Sequence, residues 1–401
     1  MNAINQGQLS QPQPSQPQPS QPQPSSQQNI EAPHSGYHWR THSVCSPARF
    51  FEGWYFRLTL PEPAQTFAFM YSIDDPNGGT AQSGGAAQIL GPHETYYCRT
   101  FPDVTQFWAW LPRLGVGHWR TSTRKEQTTR KARYLSPQSF ETEVREGYQA
   151  TTHLHQGKLL SPSGKIQARW HYETEIIATW GEPKPRATAG WLSFLPIFEP
   201  GWQVLIAHGM ATGWIEWRGF DEKAARADTG LTRYTFEQAP AYAEKNWGGA
   251  FPAKWFWMQC NAFAKEPSLS VTAAGGIREV LVLKEDVGLI GIHYKGKFYE
   301  FFSTKTRFSW IVAPWGHWQV TAESFSHRVV LTGRATDEGA WVRVPTREGM
   351  QFLCRDTTHG ELTLQLWAHG DQSTLIVEAH SQLAGLEVGG GPWAETWIVS
   401  S

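Results

Sequence analysis

The sequence predicts an all-β protein in which two similar domains follow a disordered N-terminal tail. Short runs of aromatic and β-branched residues alternate with Gly- and Pro-rich turns along most of the chain, as is typical of strands joined by tight connections. Helical periodicity is scarce. The length of 401 residues also exceeds what one hydrophobic core usually serves, which favours two domains.

The predicted tail covers residues 1–31. A Q-P-Q-P-S repeat fills residues 8–28 and is too polar to bury and too rich in proline for a helix or a sheet. No Lys or Arg precedes Arg40, so the tail resembles neither a secretion signal nor an Arg-rich transit peptide. We therefore expect a cytoplasmic protein.

Predicted strands follow the tail along the rest of the chain. Each is an aromatic or aliphatic run bounded by turn residues. The charged stretch at residues 220–227 and the run at residues 240–245 instead favour short helices. The clearest predicted strands are residues 49–60, 65–73, 168–180, 202–217, 278–284 and 360–370.

A pair of motifs that occurs twice in the sequence indicates that the two domains are similar. The triplet at residues 54–56 precedes the Gly-His-Trp motif at 117–119, and the triplet at 255–257 precedes the same motif at 316–318. Each half would then open on an aromatic strand and reach a Gly-His-Trp turn, as expected of two related β-barrels or sandwiches. Coincidence in a tryptophan-rich chain is the alternative. We place the domains at residues 32–230 and 231–401.

Composition limits the possible functions. The 35 Lys and Arg residues nearly balance the 36 Asp and Glu residues, so there is no broad electrostatic field to attract nucleic acid. The 21 Trp, 21 Phe and 12 Tyr residues favour strands and apolar pockets. Neither the histidine spacing nor any glycine-rich motif predicts a metal or a nucleotide cofactor. We expect no cofactor, and membrane contact that is at most peripheral.

Long aromatic blocks carry a resemblance to a known family. They are PHSGYHW (33–39), FFEGWYFRLTLPE (50–62), FAFMYSIDDP (67–76), GAAQILGP (85–92), FPDVTQFWAW (101–110), AEKNWGGAFPAKWFWMQCNAF (243–263) and GGGPW (389–393). In content and order these blocks resemble the tocopherol cyclase family. The resemblance covers nearly the whole chain from residue 33 and leaves out the Gln/Pro repeat.

The resemblance implies a fold, a reaction and a location. It implies two lipocalin-like antiparallel β domains and a cofactor-free ring closure in vitamin E biosynthesis. In that reaction the phenolic oxygen of a prenylated benzoquinol adds across the nearest trisubstituted double bond and gives a chromanol. The expected substrates are methyl-phytyl-benzoquinol and its dimethyl analogue. Plant members carry a plastid transit peptide, which the Gln/Pro-rich tail does not resemble. We therefore expect this chain to come from a photosynthetic bacterium and to lie on a thylakoid or other internal membrane.

Such a reaction needs an acid that stays protonated and a site that shields a tertiary cation from water. An Asp or Glu in a dry aromatic pocket meets both needs, because burial raises its pKa and aromatic faces attract cations. We expect the catalytic residues to be Glu52, Asp74 and Glu244, which lie among aromatic residues. Glu52 could instead be a solvated acid or a partner of Arg57, and Asp74 could instead belong to a turn.

Polar and aromatic side chains near Glu244 are the expected quinol site, at the seam between the domains. The alternative for residues 242–247 is a helix end with Glu244 in solvent and Asn246 as a cap. Gln259 shares a strand face with Trp257 and could bind quinol hydroxyl groups. The expected substrate-binding residues are Trp54, Tyr55, Tyr242, Asn246, Trp247, Trp257, Gln259 and Asn261.

Residues 191–202 form an apolar segment with one charge, Glu199, and two prolines. We expect an apolar lip that dips into a bilayer so that a lipid-dissolved substrate can enter, with a buried connection as the alternative. Two rival functions remain for the whole chain. One is a non-catalytic carrier of prenylquinones, and the other is a hydratase that lets water capture the cation.

Overall fold

The computed structural model describes residues 31–39, 49–121, 132–194, 200–219, 230–280, 283–370 and 372–400. The Gln/Pro repeat and the helix predicted at 220–227 lie outside these residues. The described chain is mostly β, as predicted, and its 22 strands form two large antiparallel sheets. Its helical elements are short: η1 (Pro92–Glu94), η2 (Val104–Gln106), α1 (Pro137–Glu143) and η3 (Gly190–Phe194).

The first sheet contains the first eleven strands. They are β1 (Phe51–Leu60), β2 (Gln65–Asp74), β3 (Gly84–Gly91), β4 (Thr95–Phe101), β5 (Phe107–Ala109), β6 (Gly115–Thr121), β7 (Val144–Thr151), β8 (Leu154–Leu160), β9 (Ile166–Ala178), β10 (Gly201–Trp217) and β11 (Thr232–Gly248). Their hydrogen-bonded order is β4-β3-β2-β1-β11-β10-β9-β8-β7-β6-β5. The last strand therefore returns to pair with the first.

The second sheet contains the other eleven strands. They are β12 (Lys254–Cys260), β13 (Ser270–Val280), β14 (Leu283–Tyr294), β15 (Lys297–Phe302), β16 (Arg307–Val312), β17 (His317–Glu323), β18 (His327–Arg334), β19 (Ala340–Thr346), β20 (Gly349–Ala368), β21 (Thr374–Gly390) and β22 (Trp397–Val399). Their order is β15-β14-β13-β12-β21-β20-β18-β17-β16-β22, and β19 pairs with β20. Again a late strand, β21, returns to the first.

The two sheets share the beginning of their topology. In each, four consecutive strands form a meander, and the aromatic triplets lie in the opening strands β1 and β12. His118 lies in β6 and His317 begins β17, each the sixth strand of its half. The prediction that both Gly-His-Trp motifs are turns is wrong, because residues 117–119 lie inside β6. Gly117 leaves room there for the indole of Trp108, which a Cβ would approach to 2.5 Å.

The change of sheet does not fall where we placed the domain boundary. β11 pairs with β1 and β10, so the first sheet extends to Gly248, past the boundary predicted between residues 230 and 231. Residues 31–401 form one compact unit, and the domain assignment stays a prediction.

The helix predicted at residues 240–245 is also wrong. These residues lie inside β11, where alternation of small and large side chains suits a strand that is paired on both sides. The strand predicted at 278–284 likewise spans the end of β13 and the start of β14. Both errors reflect pairing partners that a local pattern does not show.

Each sheet has a hydrophobic core of its own. Trp54, Phe56 and Leu58 of β1 belong to the first core, and Phe256 and Met258 of β12 belong to the second. A smaller cluster joins the two sheets and contains Tyr242 of β11, Trp257 of β12 and Leu289 of β14, with Tyr55 of β1 packed against it. This shared layer is where the candidate site lies.

Candidate functional site

A cavity of about 270 Å³ lies between the two sheets. Strands β1 and β11 of the first sheet and β12 and β21 of the second contribute to its wall. Two carboxylic acids reach it from opposite sheets, Glu244 and Glu387. The aromatic part of the wall consists of Trp54, Tyr55, Tyr71, Trp202, Phe251, Trp255, Phe256, Trp257 and Phe302.

Strand alternation decides which acids of the first sheet face this cavity. In the pairing of β1 with β11, Tyr55 lies opposite Glu244, and Trp54 lies opposite Lys245. Opposed residues share a face of the sheet, and neighbours along a strand point to opposite faces. Tyr55 and Glu244 therefore face the second sheet, whereas Lys245 and Glu52 lie on the side of the first core.

Glu244 has a neutral, hydrogen-bonded environment. Its Oε2 accepts hydrogen bonds from the hydroxyl of Tyr242 (2.6 Å), the indole of Trp202 (3.0 Å) and the indole of Trp257 (3.2 Å). Burial raises the pKa of Glu244 to about 7, although these three donors lower it, and the nearby Glu387 also raises it. Oε1 accepts no hydrogen bond from the described residues, so it is the oxygen that would carry a proton.

Glu387 lies in a slot between two indoles. It is opposite Trp257 in the pairing of β12 with β21, and its Oε1 accepts a hydrogen bond from the indole of Trp255. Gly389 and Gly385 flank it on the same face. A Cβ at Gly389 would come within 2.0 Å of the Trp255 ring, and one at Gly385 within 2.8 Å of the Trp257 ring. The glycines thus make room for the rings, and burial raises the pKa of Glu387.

Asp356 lies directly beside Glu387, on β20. It is fully buried, and its carboxyl group makes no hydrogen bond of normal geometry to the described residues. Burial and the neighbouring Glu387 raise the pKa of Asp356 well above its ordinary value. Two adjacent acids in so dry a place cannot both be charged without a large free-energy cost. The pair therefore favours sharing a proton over carrying two charges.

Two further side chains of β1 reach this region. Arg57 is fully buried and donates hydrogen bonds to Oε1 of Gln259 (2.9 Å) and to the carbonyl oxygens of Thr358 (3.0 Å) and Leu383 (2.6 Å), so it joins the two sheets. Tyr55 lines the cavity, and its hydroxyl has no hydrogen-bond partner among the described residues. A buried, unpaired hydroxyl is available to a polar ligand.

Glu52, which we expected to be the proton donor, has the opposite environment. It is fully buried, forms an ion pair with Lys245, and accepts a hydrogen bond from the backbone N–H of His38 (2.9 Å). Burial alone would raise the pKa of Glu52, but Lys245 and His38 bring it below its ordinary value. Glu52 is also not among the described residues that line the cavity. This charged, enclosed position argues against the donor role.

Asp74 is the last residue of β2. It forms an ion pair with Arg49, and its pKa is raised to about 6, because burial outweighs Arg49. The next residue, Asp75, has a positive φ of 41° and accepts a hydrogen bond from Thr80 (2.9 Å). The turn that we considered as the alternative is therefore present. Asp74 is not among the described residues that line the cavity.

The expected substrate-binding residues divide into two groups. Trp54, Tyr55, Asn246 and Trp257 line the cavity, and Tyr242 reaches it through its hydrogen bond to Glu244. The other three have structural contacts: Gln259 accepts from Arg57, Asn261 donates to the carbonyl oxygen of Ala241 (2.8 Å), and Trp247 stacks on His38 at 4.0 Å between ring centres.

The sequence reasoning missed Glu387 and Asp356. A signal was present in Gly385-Leu386-Glu387-Val388-Gly389, an acid placed between two glycines on one face of a strand. Asp356 offered no local signal, since only the pairing of β20 with β21 brings it beside Glu387.

The wall of the cavity includes part of the apolar segment 191–202. Leu192, Ser193 and Pro200 line the cavity, while Trp191 and Phe194 are 73% and 64% exposed. Residues 195–199, including Glu199, lie outside the described residues. In the described part of the chain, no helix combines the length and apolar character needed to cross a bilayer. Nor do the described residues bring together three His, Cys, Asp or Glu side chains in a way that could hold a metal ion.

Comparison with known proteins places these features in context. A family described as "Tocopherol cyclase-like" matches residues 48–390. The chain is 40% identical over 396 residues to a probable chloroplastic tocopherol cyclase of Oryza sativa subsp. japonica, and 39% identical over 398 residues to the chloroplastic tocopherol cyclase of Zea mays. Each alignment covers 92% of this chain and 80% of the relative.

A solved structure of CghA with Sch210972 also resembles this chain. It aligns with 86% of this chain and 89% of its own length, at 9% identity and a TM-score of 0.47.

Proposed function

Because the chain belongs to the tocopherol cyclase family, we propose that it closes the chromanol ring of prenylated benzoquinols with Glu244 as the proton donor. The expected substrates are methyl-phytyl-benzoquinol and its dimethyl analogue. One observation carries the assignment: the carboxyl group of Glu244 lies at the wall of an aromatic cavity, and its pKa is raised to about 7. Such an acid is still half protonated near neutral pH and can donate.

The geometry of Glu244 suits proton transfer to carbon. The proton on Oε1 goes to the less substituted alkene carbon, and the positive charge develops on the more substituted carbon. The phenolic oxygen then bonds to that carbon and loses its proton, so the product is an isomer of the substrate. The three donors on Oε2 stabilise the carboxylate left behind, because they already point at the oxygen that gains charge.

The aromatic wall supports ring closure over hydration. Trp202, Trp255 and Trp257 line the same cavity as Glu244, and the faces of indole rings attract a tertiary cation. They also leave little polar surface to hold a water molecule beside it. The phenolic oxygen, tethered to the same molecule, is then the nucleophile at hand. We propose that Tyr55 and Asn246, which both line the cavity, bind the quinol hydroxyl groups.

One incubation separates this function from its rivals. Purified protein is mixed with methyl-phytyl-benzoquinol and a reductant in deuterated water, and the products are analysed by mass spectrometry and NMR. A cyclase gives a chromanol with one deuterium on the carbon next to the quaternary ether carbon. A carrier quenches tryptophan fluorescence without product, and a hydratase gives a tertiary alcohol. Either of the last two results would refute the proposal.

We also propose that the exposed rings on η3 contact a membrane and let the prenyl tail enter. Trp191 and Phe194 are the exposed neighbours of two residues that line the cavity, and exposed aromatic rings are suited to a bilayer interface. The double substitution Trp191→Ser and Phe194→Ser should reduce flotation with lipid vesicles. Ile177→Ser, which removes an exposed apolar side chain of β9, is the control. Equal flotation of both variants would contradict this contact.

The two plant relatives are described as chloroplastic. A photosynthetic bacterial source and a thylakoid or other internal membrane fit the expected lipid substrate. Fractionation of source cells with antibody detection would test this location, and recovery only in the membrane-free fraction would contradict it.

A further inference from the structure

We propose that Glu387 is a second catalytic carboxyl group, which accepts the phenolic proton during ring closure, and that Asp356 positions it. This inference rests on the proposed cyclase function and deepens it. Ring closure moves two protons, one onto carbon and one off oxygen. Glu244 accounts for the first only, so the second needs an acceptor on the same cavity.

The position of Glu387 meets that need. Glu244 enters the cavity from β11 of the first sheet, and Glu387 enters it from β21 of the second. Trp257 lies between them: its indole donates to Glu244, and its backbone pairs with that of Glu387. A bound quinol that presents its alkene to one acid can therefore present its hydroxyl group to the other.

A comparison with Glu146 shows that Glu387 is not built as a structural ion. Glu146 is fully buried in the first sheet and accepts hydrogen bonds from Arg99 (2.7 Å), Arg120 and the backbone N–H of Leu160 (3.0 Å). These partners lower its pKa although burial raises it. Among the described residues, no Lys or Arg forms an ion pair with Glu387. A buried acid without a cation reduces the stability of the fold, and acids of this kind are concentrated at functional sites.

Asp356 supplies the reason why Glu387 can accept a proton. The two acids are paired across β20 and β21, and together they hold one proton more readily than none. Arg57 lies close enough to lower the pKa of Asp356, but its hydrogen bonds go to Gln259 and to backbone carbonyl groups. The proton held by Asp356 leaves Glu387 as the charged partner, directed at the cavity.

The step is balanced in atoms and electrons. The O–H bond of the phenol breaks and a C–O bond forms with the same electron pair of oxygen, while Glu387 takes the proton. At the alkene, the π electrons form a C–H bond with the proton of Glu244. The cycle closes when one proton returns from Glu387 to Glu244 after the product leaves, which needs no outside reactant.

Several titratable and charged groups face Glu387 and will shape its pH dependence. They are Glu244 from β11, Tyr55 and Arg57 from β1, and Cys354 and Asp356 from β20, with Glu94 beyond Asp356. An acceptor must be deprotonated, so its loss should remove the acid-side fall of the pH profile of kcat. A donor must be protonated, so loss of Glu244 should remove the alkaline fall.

The test compares Glu387→Gln with Glu244→Gln on substrates of graded phenol acidity. Electron-withdrawing ring substituents make the hydroxyl proton easier to lose, so they should shrink the loss caused by Glu387→Gln. We expect that variant to lose about 10²- to 10³-fold in kcat on the natural ring. The loss caused by Glu244→Gln should not shrink along the series. Asp356→Asn should lower kcat about tenfold and shift the acid-side limb, with KM nearly unchanged.

Controls keep the outcomes separate. Glu378→Gln replaces an exposed acid of the same strand β21 and should leave kcat unchanged. If Glu387→Gln fails to fold, Glu387→Asp carries the test, since it retains a carboxyl group but withdraws it from the cavity. Wild-type kcat in a folded Glu387 variant, or an equal loss across the substrate series, would overturn the inference. Absence of chromanol from the wild-type protein would instead overturn the cyclase function.

Discussion

Glu52 and Glu244 lie on adjacent strands and are both buried, but their pKa values are shifted in opposite directions. Glu52 is paired with Lys245 on the side of the first core, and its pKa is lowered. Glu244 faces the cavity, where three neutral donors and a second acid surround it, and its pKa is raised. Burial is common to both. The partner, a cation or a set of neutral dipoles, decides whether the buried acid keeps its proton.

The difference arises from a single step along β11. Glu244 and Lys245 are neighbours in sequence and so point to opposite faces of the sheet. One face carries a structural ion pair, and the other carries the proposed acid. Glu244 therefore has only neutral hydrogen-bond donors as its partners on one face, whereas Lys245 pairs with Glu52 on the other.

The largest expected effect is a loss of turnover when Glu244, which faces the cavity, is replaced. Glu244→Gln keeps the shape and an acceptor for the three donors but removes the proton. We expect kcat to fall about 10²- to 10⁴-fold while substrate quenching of tryptophan fluorescence changes little. Glu237→Gln, an exposed site on the same strand, is the matched control. Retention of more than about a tenth of the wild-type kcat would break the assignment.

Substitutions at Lys245 and Glu52, on the side of the first core, should change the free energy of unfolding. Lys245→Met leaves Glu52 buried without its cation, which should cost about 3–5 kcal/mol of unfolding free energy. The double variant Lys245→Met and Glu52→Gln removes both charges and should recover most of that loss. Chemical denaturation of the two variants at pH 7 measures the difference. Equal stabilities would show that the ion pair does not matter to the fold.

The two acids should also give opposite slopes of stability with pH. The folded pKa of Glu52 is below its ordinary value of 4.5, so the stability it contributes is present above that pH and is lost as pH falls further. The folded pKa of Glu244 is raised from 4.5 to about 7, so its contribution is present below pH 4.5 and is lost as pH rises to 7.

Each slope is at most about 1.4 kcal/mol per pH unit. Chemical denaturation of wild type and Glu244→Gln, repeated at intervals of about one pH unit from about pH 4 to pH 8, isolates the slope that Glu244 contributes. Parallel curves for the two proteins would mean that Glu244 has an ordinary pKa.

The smallest expected effect comes from one of the donors to Glu244. Tyr242→Phe removes a hydrogen bond that lowers the pKa of Glu244, so the pKa should rise above 7 and the alkaline fall of the kcat profile should move upward by about one unit or less. Tyr299→Phe on β15, away from the cavity, should leave the profile in place. A downward movement would show that the proton leaves by another route.

Local patterns in the sequence supported the β architecture and part of the site. The aromatic runs at residues 49–60 and 202–217 form β1 and β10, because alternation of side chains can be seen within one strand. Tyr55 and Trp257, which we expected to bind the substrate, both line the cavity. Local patterns could not separate Glu52 from Glu244, since both lie in aromatic surroundings.

The sequence by itself determined that this is a mostly β chain of the tocopherol cyclase family, with acids embedded among aromatic residues. Tertiary structure alone decided in which direction the pKa of each acid is shifted. Lys245 reaches Glu52 across 193 positions of sequence, and Asp356 meets Glu387 only through the pairing of β20 with β21. The charge state of a buried acid depends on its spatial neighbours, and strand pairing chooses those neighbours over distances that no local pattern records.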